Sequence, residues 1–387
     1  MRMRLLDFLV CPLDKTRLEL RAWETLDRPL SAEQLARCHR YGIPPEPLTK
    51  VVARGVLINP QRKLLYPIHH GVPRMLTFAS SVARQFSQEN AAALASDFPG
   101  YSLPNEPSMP GEADVLRTFS TEWLNYDWDA QSYWNLTPEA WFRCMRFALE
   151  LERWPVDGKL ALEVGTGVGG VADYVATREG GEVVAVDLGY AIDVAQQHFG
   201  EKNPFLHPVQ ASAFALPFRP QTFDFVFSYG VIHHTFSTRT AFERLAPLPR
   251  QGGRLFVWVY SYYDESRTLK RRLLMTMEHI VRPVVWRLPG RLQAVALAPL
   301  APLYMAHQWW KSRHGEGKVI RYGWREAMHA ARDRFTPRYV QRHTDEEVAQ
   351  WFQAAGYGQL SIASRRQRPD DVPEPFTACV GISGIRQ

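Results

Sequence analysis

Residues Leu160-Ala-Leu-Glu-Val-Gly-Thr-Gly-Val-Gly-Gly170 decide the fold. A short apolar run ends in an acid and a glycine-rich turn, the way a parallel strand enters a nucleotide-binding loop. Gly165, Gly167 and Gly169 let the backbone turn tightly and approach a ligand with no Cβ in the way. A helix starting near Val168 would aim its free N–H groups at that ligand. Gly165, Gly167 and Gly170 also fit the G-x-G-x-x-G pattern of dinucleotide binders, so the loop alone leaves a nicotinamide cofactor open. Glu163, two residues before the first glycine, shifts the balance. An acid there repels a pyrophosphate and suits a ligand with a cationic amino group.

Downstream segments agree. Glu182-Val-Val-Ala-Val-Asp187 reads as a second strand ending in an acid, and Asp187 lies 20 residues after Gly167, the spacing of a carboxylate that grips ribose hydroxyls. Ala215-Leu-Pro-Phe218 and Phe223-Asp-Phe-Val-Phe-Ser-Tyr-Gly-Val-Ile-His-His-Thr235 follow. With these motifs in order, the chain resembles the class I S-adenosylmethionine (SAM)-dependent methyltransferases, especially their small-molecule branch with LPF and GVLHHT-like segments. The resemblance covers about residues 156–261 and resumes near 344. It implies an α/β, Rossmann-like sheet, mostly parallel with an antiparallel last strand, and SAM as cofactor.

The resemblance also implies a pocket at the carboxyl ends of the strands, built from Glu163–Gly169 (with Thr166), Asp187–Leu188, Ser212-Ala213-Phe214 and Ser228-Tyr229. Glu163 would hold the amino group of the methionine moiety and Asp187 the ribose, with Leu188 and Phe214 on either side of the adenine. Many relatives place an Asp four residues before LPF to bind the adenine amino group; here Ser212 stands there, uncharged. His233 is expected as a general base, because a near-neutral imidazole can take a proton from an attacking hydroxyl. Local packing is the plain alternative. His234, Tyr260, Tyr263, Arg338 and Tyr339 are expected on the acceptor side.

The chain has 387 residues, room for a catalytic domain and a smaller one. Net charge is +6, unevenly spread: residues 262–343 hold 16 Lys/Arg against 6 Asp/Glu, a balance of +10, so the rest sums to −4. Cys11, Cys38, Cys144 and Cys379 form no C-x-x-C pair, so a reducing compartment and no disulfide framework are expected. The N-terminus shows no apolar signal-peptide core. The longest near-apolar run, Leu292 to Ala306, is shorter than the ~20 residues a spanning helix needs. A cytoplasmic protein is expected.

Four regions emerge: 1–80, 81–155 (a helical linker or cap), 156–261 together with 344–387 (the SAM-binding domain), and 262–343 (a basic, apolar helical insertion). Strands are expected near 160–164, 182–187, 223–228, 254–260, 359–363 and 376–382. In the first region, Leu5-Leu-Asp-Phe-Leu-Val-Cys-Pro-Leu-Asp14, Gly55-Val-Leu57 and Tyr66-Pro-Ile-His-His-Gly-Val-Pro-Arg-Met-Leu76 resemble the small zinc-ribbon family of tRNA-methyltransferase activators. That family often binds zinc through two C-x-x-C pairs. Here only Cys11 remains; Asp14, Asn59 and Arg62 stand where other ligands would be, so no metal is expected. His69-His70 read as turn residues, since neighbours on an extended segment point opposite ways.

In the insertion, Pro283 and Pro289 are expected to break Arg267–Arg291 into short helices. The region reads either as a helical cap over the site or as an amphipathic surface, 267–310, that meets a membrane or a lipid-linked acceptor. The expected acceptor is a small molecule, glycan- or lipid-like, methylated on oxygen or carbon. A nucleic-acid acceptor is disfavoured: Ser228-Tyr-Gly-Val231 replaces the Asn-Pro-Pro-Tyr segment of base methylation. The other readings left open are a non-catalytic activator-like binding protein and a nicotinamide oxidoreductase.

Overall fold

The computed structural model describes residues 1–124, 137–262, 269–314, 322–367, 369, 372 and 379–387. A seven-stranded sheet forms the centre: β5 (Leu160–Val164), β6 (Glu182–Asp187), β7 (Leu206–Gln210), β8 (Phe223–Tyr229), β9 (Pro249–Val259), β10 (Tyr357–Ile362) and β11 (Val380–Arg386). Their spatial order is β10-β11-β9-β8-β5-β6-β7. Pairings from β7 through β9 are parallel, and β11 runs antiparallel to both β9 and β10. The last strand alone is reversed, as the resemblance implies. Chain order doubles back at β5, so the crevice opens at the carboxyl ends of β5, β6 and β8.

Three strand expectations need correction, the last strand, expected near 376–382, being Val380–Arg386. β7 has no counterpart in the sequence reading, because His207 and Pro208 interrupt its apolar run. Proline is tolerated there because β7 pairs continuously with β6 alone, so one side of its backbone is spared a ladder. β9 begins at Pro249, five residues before the expected start. Likewise the loop helix is Gly170–Thr177 rather than one starting near Val168. Gly169 is its N-cap at φ +88°, outside helical space, so the helix cannot begin earlier.

A second, antiparallel sheet, β1 (Glu19–Asp27), β2 (Lys50–Asn59), β3 (Leu64–His69) and β4 (Val72–Pro73), forms the N-terminal unit. It is joined to the free side of β7. Arg74 bridges Gln210 in parallel register, and the Met75 N–H donates to the Gln210 carbonyl at 2.7 Å. One core runs through both units: Leu5, Leu9, Val52 and Tyr66 share a cluster with Val164, Val186, Val209 and Phe218.

Buried charges cross the same seam. Arg4 holds both oxygens of Glu182 (3.0 and 3.1 Å), which also meets His207 Nε2 at 3.0 Å. Arg74, 3 % exposed, binds both oxygens of Asp193 and the Gln210 side chain. Arg37 donates to the Ala176 and Gly181 carbonyls and stacks over Phe205.

Where the resemblance would put metal ligands, the side chains bond to each other. Asp14 accepts from the Thr16 hydroxyl (2.6 Å) and the Asn59 amide (3.1 Å); Asn59 Oδ1 accepts the Arg62 N–H (3.0 Å). Cys11 Sγ lies 3.3 Å from the Tyr66 hydroxyl. Hydrogen bonds thus close the two loops. His69 is not a turn residue: it ends β3 and is buried. His70, at φ +52°, makes the turn with Gly71, and its ring centroid lies 4.0 Å from that of His69.

The insertion leaves and returns at one point, where Ser261 bridges His343. Between lie helices Leu269–Val285, Gly290–Leu297, Ala301–His314 and Trp324–Phe335. The first three pack on the last through Val281, Val285, Leu297, Leu300 and Tyr304 against Met328, Ala331 and Phe335. Pro283 does not break its helix. It sits in the final turn, where the missing N–H costs one bond before the helix ends anyway. Glu278, 2 % exposed, collects Arg282 (2.9 Å), Arg342 (3.0 Å) and Arg334. Ile280, Val284, Val295 and Leu303 face outward, each more than 60 % exposed.

Candidate active site

The glycine loop is built against β6. Gly165 and Thr166 both donate their N–H to the Val186 carbonyl, at 2.7 and 2.9 Å. Gly165 has φ +88°, and a Cβ there would come within 2.3 Å of the Val231 side chain. Only glycine satisfies both backbone and neighbour.

Two carboxyl groups, one buried and one half-buried, flank this loop. Glu163, 3 % exposed, accepts the Thr166 hydroxyl at 2.7 Å. Burial pushes its pKa up to about 8; the Thr166 bond opposes that rise and the Asp187 charge adds to it. Asp187 accepts the Gly167 N–H (2.7 Å) on one oxygen and the Gly189 N–H (2.6 Å) on the other. Burial raises its pKa and those two bonds restrain the rise. The second carboxylate therefore clamps the loop that follows the first.

The other expected pocket residues sit at neighbouring strand ends. Ser228 at the end of β8 donates to the Val164 carbonyl at 2.9 Å. Tyr229 stacks on Trp258, centroids 4.7 Å apart. After β7, the Ser212 hydroxyl accepts the Phe214 N–H at 3.0 Å, with Ala213 between them. The Phe214 ring lies 4.8 Å from Phe236. Leu188 packs with Leu76, Phe78 and Leu116.

His233 and His234 form a short turn beyond β8. His233 is fully buried, and neither ring nitrogen has a hydrogen-bond partner among the described residues. Its ring lies 3.9 Å from Tyr260. Burial drives its pKa far below the usual imidazole value, and His234, His343 and Arg342 push the same way. His234 Nδ1 is 3.1 Å from the Tyr339 carbonyl. A carbonyl only accepts, so Nδ1 carries the proton and Nε2 keeps its lone pair. Burial lowers the His234 pKa to about 4 despite that bond. Both rings are neutral near pH 7.

Tyr260 donates to Asp333 at 3.3 Å. Burial raises the Asp333 pKa to about 6, opposed by Tyr260 and by Arg334 and Arg282. Arg338 pairs with Asp114 at 2.5 Å, and the Tyr339 ring lies against Gly111. Both thereby clasp the Glu112–Leu124 helix. Tyr263 lies outside the described residues.

That helix was not marked as part of the site in the sequence. It lies over the crevice: Ser120 accepts the Tyr190 N–H at 2.9 Å, Leu116 touches Leu188, and Phe119 lies 5.1 Å from His234. Its polar residues carry no motif, and only the fold brings them to the strand ends. Asp333 was missed for the same reason.

Comparison with known families decides what this frame is. Residues 162–257 match the methyltransferase domain family, and residues 2–71 match the Trm112p-like protein family. Residues 2–71 thus form a Trm112p-like domain and residues 162–257 a methyltransferase domain. Over 118 residues it is 30% identical to phosphoethanolamine N-methyltransferase 2 of Caenorhabditis elegans, covering 29% of this chain and 27% of that protein. Over 152 residues it is 26% identical to a probable tRNA methyltransferase 9B of Mus musculus, covering 38% and 31%. The chain thus spans less than a third of the length of these curated relatives. Among solved structures, phosphoethanolamine N-methyltransferase 2 of Haemonchus contortus aligns with TM-score 0.44 at 14% identity, over 73% of this chain and 62% of that one.

A methyltransferase domain implies SAM as cofactor, and the residues present fit it. Glu163, buried, and Asp187, half-buried, would face the cationic end and ribose of such a ligand, beside a loop built on glycine. Among the described residues no helix is long and apolar enough to cross a membrane, and no cluster of three or more His, Cys, Asp or Glu could hold a metal.

Proposed function

We propose that the chain transfers the methyl group of SAM to oxygen or carbon of a small-molecule acceptor, glycan- or lipid-like in character. The observation that carries this reading is the pair of carboxyl groups, buried Glu163 and half-buried Asp187, coupled through the glycine loop at adjacent strand ends. Bound SAM supplies an already activated methyl group for in-line displacement, so the protein's task is alignment and proton handling.

Glu163 faces the cofactor's ammonium group, and Asp187 presents its carboxylate to the ribose while holding the loop. Ser212, Ala213, Phe214 and Leu188 form the adenine side; Ser228 and Tyr229 close the base. Of the two histidines, His234 is the better proton acceptor, since its tautomer leaves Nε2 bare. His233 supports it by packing between it and Tyr260. Tyr260, at the base of the insertion, and Asp333, on the insertion's last helix, line the acceptor side beside the Glu112–Leu124 helix.

The outward Ile280, Val284, Val295 and Leu303, with Arg287 and Arg291 between them in the chain, support a lipid-linked acceptor met at a membrane surface. A transfer-RNA acceptor is the second reading, favoured by the Trm112p-like domain and the 9B relative. Calorimetric titration with S-adenosylhomocysteine and, separately, NAD tests the cofactor: saturable one-site binding of the former alone supports the reading, and preference for NAD overturns it. Labelled SAM offered with lipid and glycan extracts or with unmodified tRNA then separates the acceptors. Label entering tRNA alone would reject the small-molecule reading.

A further inference from the structure

Glu112 opens the Glu112–Leu124 helix and is only 6 % exposed. One carboxylate oxygen has an ordinary duty, accepting the Met109 N–H at 2.8 Å as a helix cap. The other, Oε1, is buried and has no hydrogen-bond partner among the described residues. A buried, unpartnered carboxylate oxygen is costly, and helix capping does not explain it.

Its surroundings say what is missing. Burial pushes the Glu112 carboxyl pKa up, while the neighbouring Ser212 hydroxyl and the Met109 N–H pull it back. Ser212 follows β7, one strand beyond Asp187 and two beyond Glu163 in the sheet. Strands lie about 4.8 Å apart, so an extended cofactor whose charged end is at Glu163 and whose ribose is at Asp187 reaches β7 with its base. The same helix touches the Asp187–Tyr190 turn through Leu116 and Ser120.

We propose that Glu112 reads the adenine: its free Oε1 accepts a hydrogen bond from the exocyclic amino group, supplying from a separate helix the carboxylate that Ser212 cannot. This rests on the SAM reading above and extends it to base selection. Adenine offers a donor at that position, whereas hypoxanthine offers a carbonyl, which a carboxylate would repel. Guarding the position with a charge makes the choice sharp, because the wrong base leaves the buried oxygen unpaired.

The test measures the affinities of S-adenosylhomocysteine and S-inosylhomocysteine on the full chain. Wild type is expected to prefer the adenosyl ligand by 100-fold or more. Glu112→Leu should weaken S-adenosylhomocysteine by about tenfold, about 1.4 kcal/mol, while leaving the inosyl ligand unchanged or tighter. Glu112→Gln, whose carbonyl can still cap Met109, turns an NH2 donor towards the base and should narrow or reverse the adenosyl preference, and far-ultraviolet dichroism checks that each variant is folded. Adding Ser212→Asp to Glu112→Leu should restore the adenosyl preference. A folded Glu112→Leu protein with wild-type discrimination overturns the proposal while leaving the cofactor reading standing. No binding of S-adenosylhomocysteine by wild type would overturn both.

Discussion

Replacing Glu182 by glutamine should cost the protein about 3 kcal/mol at neutral pH. Glu182 opens β6 and carries the ion pair from Arg4 across the seam between the two sheets. Burial alone would raise its pKa, but hydrogen bonds from His207 and Arg4, and their charges, bring it from 4.5 to about 2. Each pKa unit is worth about 1.4 kcal/mol, so the ionised carboxylate favours the fold by about 3 kcal/mol at pH 7. The folded value lies below the unfolded one. The contribution is therefore complete above pH 4.5 and drains as pH falls towards 2, reaching about 2 kcal/mol at pH 3.5. Urea unfolding of wild type and Glu182→Gln at both pH values measures the difference. A gap under 1 kcal/mol at pH 7, or one that does not narrow at pH 3.5, would refute the seam as an electrostatic clamp.

Glu163→Gln should act in the opposite sense. Because burial holds the Glu163 pKa up at about 8, the fold favours its protonated form, and wild type loses stability as pH rises from 4.5 through 8. The variant should therefore be more stable than wild type at pH 9, by on the order of 4 kcal/mol, yet bind S-adenosylhomocysteine more weakly; thermal melts and calorimetry check the two halves. Glu278→Ala strips three guanidinium groups of their shared carboxylate. It should destabilise the insertion by about 3–5 kcal/mol, read as early proteolysis within 262–343 while the sheet stays protected. Elemental analysis should find no stoichiometric zinc, and a chelator should leave the melting temperature unchanged, because hydrogen bonds among Asp14, Thr16, Asn59 and Arg62 close the N-terminal loops. One zinc per chain would contradict that.

Much of the central sheet was legible because its strands are buried on both faces and read as continuous apolar runs. β5, β6 and β8 are such runs, each followed by its acid or polar tip. β7 was not legible, since His207 and Pro208 are spent on a seam that only the tertiary structure creates. Glu163 and Asp187 stood out because a fixed spacing from glycines ties them to one loop. Glu112 and Asp333 carry no such signature: each reaches the strand ends on a helix from a distant stretch. His233 and His234 look alike in sequence, and what distinguishes them is the Tyr339 carbonyl, 105 residues away, that fixes one tautomer. The Pro283 expectation failed because a proline's effect depends on how many turns remain after it.

The joining of β4 to β7 has a consequence for assembly. A partner on a separate polypeptide is present only as its own abundance and dissociation constant allow. A partner on the same chain faces its seat at an effective concentration in the millimolar range, whatever the dilution. Stoichiometry is then fixed at one to one by translation. Other proteins able to use such a module cannot compete it away. If the seam opens, it recloses as an intramolecular event whose rate is independent of protein concentration.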